Sequence, residues 1–391
     1  MPSRPAVLQI IPALDAGGAE RTTIDIAQAL ARDGFVPLVA SEGGRLEPQL
    51  AAAGGELVRL AAAAKAPPTI VANALRLAKI IRARGVELVH ARSRAPAWSA
   101  LLAARSEHVP FVTTYHGIYN AANPLKRFYN SVMVRGDAVF ANSQWTAAHV
   151  AAEYRVDRAK LFVIPRGVDL ARFDPAGIAP DRVAAQRAGW GADADDLVVL
   201  LPGRLTRWKG QMVFIEALAG LARAGRLSKL RAVMVGDAQG RASYEAELRN
   251  AISAAGLGDR VFIAGHADDM PLAYLASDIV VSASVEPEAF GRVVAEAGAM
   301  GRPVIATDHG GARETILPGI SGLLTKPGDP VELANAVSHL ESMGANARAE
   351  MGAGGRAHIV EHFSLERMCA DTIALYLSLI EPGRLPPPPG I

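Results

Sequence analysis

Two glutamates, Glu288 and Glu296, stand in the stretch EPEAFGRVVAEAGAMGRPVIATDHGGARETI. Paired carboxylates can divide acid and base work at a glycosidic bond, but only when they lie close together. A helix beginning near Phe290 puts Glu296 about two turns in and leaves Glu288 in the loop before it. The two therefore cannot form a tight pair; they would address different parts of one extended ligand, with two exposed surface charges as the plainer alternative. Such a division suits hydroxyl recognition, because a carboxylate accepts two hydrogen bonds at once.

A second set of residues points to phosphate. In LLPGRLTRWKG, Arg204 and Lys209 follow a strand and can turn to one site. Arginine offers a bidentate fork and lysine a point charge; a solvated basic loop is the plainer alternative. Glycines mark three strand-to-helix turns: DAGGAE with Gly17 and Gly18, EAFGR at 288–292 and DHGGAR at 308–313. Backbone can approach a ligand closely there, and a helix N-terminus favours negative charge. The three turns fit a phosphate-bearing ligand. With the carboxylates added, the ligand reads as a nucleotide-sugar, Glu288 nearest the sugar and Glu296 nearest the ribose.

Other chemistries lack their signatures. There is no G-x-x-x-x-G-K-[ST] and no G-x-G-x-x-G after the first strand, so neither a P-loop NTPase nor a dinucleotide dehydrogenase is expected. No G-x-S-x-G elbow and no His/Cys metal spacing occur. No metal site and no nucleic-acid partner are expected.

The elements that must position these residues read clearly. At 391 residues the chain is too long for one ordinary core and fits two domains of about 150–200 residues. Apolar runs alternate with helical patterns: AVLQIIPA, FVPLVAS, ELVRL, VELVHARS, PFVTTYHG, DAVFANS and KLFVIPRG in the first half. The second half has DLVVLLPGR, LRAVMVGD, VFIAGH, IVVSAS, RPVIATD and SGLLTKP. Strands this apolar imply parallel sheets covered on both faces, an α/β fold of two doubly wound, Rossmann-like domains. Gly, Pro and Asp cluster in GVDLARFDPAGIAPDR, which marks the seam. The expected division is 1–175, 176–361, and a C-terminal helix with a Pro-rich tail over 362–391, the helix packing back toward the first domain. Ligands of such sheets bind beyond the C-terminal strand ends, so facing domains would enclose one cleft.

Composition bounds the setting. The single cysteine, Cys369, excludes an internal disulfide framework and predicts a reducing compartment, with the thiol as buried filler in a helix. No apolar run approaches the ~20 residues that span a bilayer. The N-terminus reads as a strand, not a signal peptide, so a cytoplasmic location is expected. The tail PGRLPPPPGI is expected to be disordered. Residues 1–180 carry 21 Lys and Arg against 14 Asp and Glu, a balance of +7; residues 181–391 carry 20 against 25, a balance of −5. The basic first half fits an anionic membrane or acceptor, with ordinary scatter as the alternative. Arg76, Lys79, Arg82 and Arg84 share one helical stretch, and Lys126 and Arg127 adjoin Phe128 and Tyr129. This basic–aromatic pairing sets the expectation of peripheral contact with the inner face of the cytoplasmic membrane.

With these motifs in place, the chain resembles the retaining glycosyltransferases of family 4, the group 1 enzymes of GT-B fold. EPEAFGRVVAEAGAMGRPVIATDHGGARETI resembles their signature, GRLTRWKG their phosphate-binding loop, GGAE their N-terminal glycine loop and VIPRGVDLARF their interdomain segment. HARSRAPAWSA and FVTTYHG most resemble bacterial enzymes that build lipopolysaccharide or related surface glycans. The resemblance implies transfer of a sugar from a nucleotide-diphosphate-sugar to a glycan or lipid-linked acceptor. It implies that Arg204 and Lys209 hold the donor diphosphate and that the Gly17–Gly18 loop contacts it. Glu288 would bind sugar hydroxyls, with backbone around Phe290 and Gly291. Glu296 would bind the ribose, His266 would frame the base and His116 would sit near the sugar. Arg92 and Arg94 are the acceptor-binding candidates; His90 either faces the acceptor or is a satisfied core histidine. The sequence departs from the family's usual IPNGVD at Arg166, to which no role is assigned. The implied mechanism keeps the anomeric configuration without an enzyme nucleophile and needs no metal or other cofactor. Three alternatives stand beside it: a nucleotide-sugar 2-epimerase of the same fold, a transferase or phosphorylase using a small soluble acceptor, and a non-catalytic sugar-nucleotide binder.

Overall fold

A computed structural model of the chain describes residues 4–15, 17–119, 123–227 and 229–381. The expected disordered tail at 382–391 lies outside the described residues, as does Ala16 of the first glycine turn.

The first sheet has seven strands, all paired in parallel: β1 (Ala6–Ile10), β2 (Val36–Ser41), β3 (Glu56–Arg59), β4 (Val86–Ala91), β5 (Phe111–Tyr115), β6 (Ala138–Ala141) and β7 (Leu161–Val163). Their order is β3-β2-β1-β4-β5-β6-β7. The second has six, again parallel: β8 (Leu197–Pro202), β9 (Leu230–Val235), β10 (Val261–Gly265), β11 (Ile279–Ser282), β12 (Val304–Thr307) and β13 (Gly322–Thr325). Their order, β10-β9-β8-β11-β12-β13, repeats the first pattern. These are two doubly wound sheets, and strand order reverses beside β1 and beside β8. Ligands of such sheets bind at that reversal, beyond the strands' carboxyl ends.

Alternate residues of each strand feed opposite cores, as the two-residue strand period requires. Val199 and Leu201 join one cluster with Phe214 and Leu218, while Val198 and Leu200 join another with Val294 and Met300. In the first sheet Leu8 and Ile10 face one way, and Val7, Leu88 and Val112 the other. That second face is covered by the last helix, Leu365–Ile380, through Met368, Cys369, Ile373, Leu375 and Tyr376.

The chain thus divides into two compact units. One runs to Gly167 and resumes at Leu365; the other is Val168–Ser364. The expected seam at 175/176 falls later than this division, because Val168 and Phe173 already bury their side chains in the second unit's core. The expected boundary at 361/362 likewise moves to 364/365, since Phe363 packs in that same core. The last helix belongs with the first unit, as expected. Burial pushes the Cys369 thiol up to about 12, in keeping with a filler role.

Candidate active site

In the second unit, candidate side chains from the segments after β8 and β11 meet at the strand-order reversal. After β8 the chain makes a short turn, Arg207–Lys209, and enters the helix Gln211–Arg223. The Lys209 ammonium donates to Glu288 Oε1 at 2.7 Å, and both side chains are only 12% exposed. The ammonium also lies 4.4 Å from the centre of the Trp208 ring. Glu288 further accepts from Ser284 Oγ at 2.5 Å and Ser282 Oγ at 3.5 Å. Burial raises the Glu288 pKa, but the Lys209 charge and the three hydrogen bonds outweigh it and hold the carboxyl below its usual range. A carboxylate so held stays ionised and keeps acceptor capacity for further hydroxyls.

Glycine shapes the surrounding backbone. Gly291 has φ 85°, and a Cβ there would stand 2.7 Å from Ala312 Cα. Gly310, φ 64°, approaches the Glu288 backbone, and the Gly311 N–H donates to the Glu288 carbonyl at 2.7 Å. The two later glycine turns of the sequence therefore pack on one another. Gly210 and Gly291 are the N-caps of the helices Gln211–Arg223 and Arg292–Ala299, and neither helix has a side-chain cap. Their first amides remain available to a ligand.

Glu296 is held apart from Glu288. It lies in the helix Arg292–Ala299, accepting from Tyr274 Oη at 3.0 Å and Arg292 Nη2 at 2.5 Å. Burial, followed by the Glu296 charge, lifts the Tyr274 hydroxyl well above its usual pKa, so it stays a donor. Phe290 turns its ring into the core against Phe363, leaving its backbone to line the loop. Arg204 is exposed, and its carbonyl accepts from Gln211 Nε2 at 2.9 Å, which pins the loop. His266 follows β10, largely exposed, 3.2 Å from Asp268. Sequence reasoning missed Ser282, Ser284, Tyr274 and Arg292. The serines had a signal: as alternate residues at the end of IVVSAS they share a side of the chain.

The first unit presents a different arrangement. Gly17, extended at φ 175°, is the N-cap of the helix Gly18–Arg32, which again lacks a side-chain cap. His116 follows β5, and its Nδ1 lies 3.1 Å from Arg166 Nη2. Arg166, given no role from sequence, also lies against Gly18, where a Cβ would collide with its Nη1. Burial first, then the charges of Arg166 and Arg92, hold the His116 pKa well below its usual value. Arg92 is 3% exposed and donates to Gln9 Oε1 at 2.8 Å and Tyr376 Oη at 3.4 Å. Arg94 donates to Asn130 Oδ1 at 2.8 Å and lies 4.6 Å from the Tyr119 ring centre. His90 resolves as a satisfied core histidine: fully buried, it bonds Tyr376 Oη through Nδ1 and Thr114 Oγ1, at 2.7 Å, through Nε2.

Two family descriptions match the two units in turn. Residues 16–172 match "Glycosyltransferase Family 4" and residues 183–358 match "Glycosyl transferases group 1". A glycosyltransferase structure from Rickettsia africae is 35% identical, spanning 97% of this chain and all of that one, with a TM-score of 0.90. The chain belongs to the family 4, group 1 glycosyltransferases. The fold is GT-B. The chain is similar to Anabaena HepE, solved in complex with UDP, at 26% identity over 96% of this chain and 99% of that one, with a TM-score of 0.82; HepE has also been solved with UDP-glucose. A D-inositol 3-phosphate glycosyltransferase of Xylanimonas cellulosilytica is 32% identical over 69% of this chain and 67% of that enzyme. Among relatives of that name, the chain spans 54% of one and 93% of another.

No helix among the described residues is long and apolar enough to cross a membrane. Of the basic residues expected to face one, Arg82 pairs with Glu107, Arg84 with Glu56 and Arg127 with Glu153. Leu125 and Phe128, 82% and 61% exposed, flank Lys126 and Arg127 on the helix Pro124–Asn130.

Proposed function

We propose that this glycosyltransferase moves a sugar, with retention of anomeric configuration, from a nucleoside diphosphate donor to an acceptor hydroxyl. The observation that carries the reading is the Lys209–Glu288 pair, sunk at the strand-order reversal and backed by two serines. Lys209 and Arg204 neutralise the diphosphate as it leaves, aided by the uncapped helix N-termini at Gly210 and Gly291. In the first unit, the uncapped helix N-terminus at Gly17 offers amides suited to a phosphate. Glu288 takes sugar hydroxyls, and Glu296, oriented by Tyr274 and Arg292, takes the ribose. The acceptor attacks from the face the diphosphate leaves, and the diphosphate takes up the acceptor's proton. The protein contributes position and charge. Because its own cations carry the neutralising role, no metal is required.

UDP is the first donor to try, given HepE's complexes with UDP and UDP-glucose. For the acceptor, a glycan or lipid-linked sugar of surface-glycan synthesis is one choice. Relatives named for D-inositol 3-phosphate favour a soluble phosphorylated polyol as the second. The exposed Leu125 and Phe128 favour the first, as a foothold on an anionic membrane surface.

The test is a thermal-shift screen with UDP-, GDP- and ADP-sugars, followed by transfer assays on inositol 3-phosphate and on lipid-linked saccharides. A true donor stabilises the fold by about 2.7 kcal/mol at a hundredfold excess over Kd. Product NMR should show the donor's anomeric configuration, and excess EDTA should leave the rate intact. Absence of stabilisation by every nucleotide-sugar would sink the reading. Epimerised sugar formed without acceptor would point to the isomerase instead.

A further inference from the structure

The contact between Arg166 and His116 decides more than orientation. The two residues are fifty positions apart in sequence, and Arg166 Nη2 reaches His116 Nδ1 at 3.1 Å. A guanidinium carries five donors and no acceptor, and it stays protonated in proteins. Nδ1 must therefore offer its lone pair. A neutral imidazole has a single ring proton, so that proton sits on Nε2. Nε2 is buried and has no hydrogen-bond partner among the described residues. His116 lines a cavity of about 20 Å³ together with Thr22, Arg92, Thr114, Asn142 and Arg166, room for about one water or one ligand oxygen.

We propose that Arg166 is a positioning residue that fixes His116 as the neutral Nε2–H tautomer, so that His116 serves as a hydrogen-bond donor to a substrate oxygen and not as a base. The donor role rests on the transferase reading above. The charges around the ring support a neutral imidazole: Arg166 and Arg92 are cations, and His90 nearby is itself buried and held neutral. A base needs a free lone pair, and His116 has none: one is engaged by Arg166 and the other nitrogen carries the proton. The acceptor's proton therefore goes elsewhere, to the departing diphosphate. The asparagine usual at this position in the resembled family could either donate or accept by rotating its amide; arginine removes that choice. Gly18 belongs to the device, since a side chain there would displace the guanidinium.

The tautomer is measurable without substrate. Long-range ¹H–¹⁵N correlation spectra of the full chain labelled with ¹⁵N-histidine, with His116 assigned through a His116→Gln variant, should show an Nε2–H ring near pH 7.5. Titration toward pH 5 should leave it neutral. Arg166→Met removes the donor but keeps bulk, and should give mixed tautomers and a ring that titrates nearer the ordinary range. Arg166→Lys keeps a donor and should retain Nε2–H. The kcat should follow the tautomer, falling on the order of tenfold in Arg166→Met, less than the 10²–10³ typical of removing such a donor outright, and recovering in Arg166→Lys. An Nδ1–H ring in the native protein would overturn the proposal, and would do so even if Arg166→Met failed to fold. So would a folded Arg166→Met with unchanged tautomer and titration. A chain with the Nε2–H ring that transfers no sugar to any acceptor would overturn the donor role and the transferase reading, but not the positioning by Arg166.

Discussion

The two sheets share a strand order and finish their C-terminal ends in opposite ways. The second unit builds its site around a buried ion pair, Lys209–Glu288, with Arg204 left exposed beside it. In the first unit, Gln9, His90, Arg92 and Tyr376 bond one another, and His116 bonds Arg166, without a carboxylate in any of these contacts. The difference shows where a repeated fold keeps its chemistry. The sheets supply the same scaffold, and the segments after the strands decide whether a lysine meets a carboxylate, as at Glu288, or arginines meet uncharged partners, as at Gln9, Tyr376 and His116.

The largest effect should come from the charged side. Lys209→Ala should cut kcat by on the order of 10²–10³, measured on purified, folded protein. Unchanged turnover would remove the ion pair from the mechanism and the contrast with it. In the carboxylate-free network of the first unit, Tyr376→Phe strips one hydroxyl from both His90 and Arg92. A buried polar group left unsatisfied costs about 1–3 kcal/mol, so urea denaturation should shift by that much while kcat changes little. A matching loss of kcat would make the network part of the chemistry.

The third prediction concerns pH. Burial holds His90 and His116 well below the usual histidine pKa in the folded state. When pH falls below about 6.5, the unfolded chain takes up protons that the folded one refuses. Stability should therefore decline toward pH 5, by up to about 1.4 kcal/mol per pH unit for each histidine. Denaturation midpoints at pH 7 and pH 5 read this directly. Equal stability at both would show that these rings are charged in the folded protein. The smallest effect is at the surface. Leu125→Ser with Phe128→Ser should abolish salt-sensitive sedimentation with anionic vesicles, and an intact chain that ignores both anionic and neutral vesicles would favour a soluble acceptor.

The thirteen strands among the described residues are legible in the sequence, most of them as nearly unbroken apolar runs. The helix Gly344–His362 is not. Its buried positions are few and include Gly352 and Gly355. Gly352 lets it approach Gly301 backbone to backbone, so its packing leaves little apolar stripe to read. At the site, the residue types were visible and their partners were not. Glu288 and Lys209 were assigned to separate tasks, yet they bond across a sequence distance that only the strand order closes. Tyr274 draws no notice in the sequence; in the fold its ring is buried and its hydroxyl donates to Glu296. Arg166 stands out as a departure from a motif, but its partner follows from the sheet order, which sets β5 and β7 on either side of β6 and which no local pattern encodes.

The return of the last helix to the first unit bears on how the protein is made. A ribosome releases residues 168–364 as one uninterrupted stretch, so the second unit can fold while synthesis continues. The first unit cannot. Val7, Leu88, Val112 and Phe140 wait for Ile373 and Tyr376, which emerge only after the whole second unit. Until then that sheet carries a bare apolar face, and His90 and Arg92 lack the hydroxyl that satisfies them. The first unit is begun before the second and closed only after it, so its apolar face stays uncovered while the second unit is made, and transiently exposed apolar surface of that kind invites aggregation.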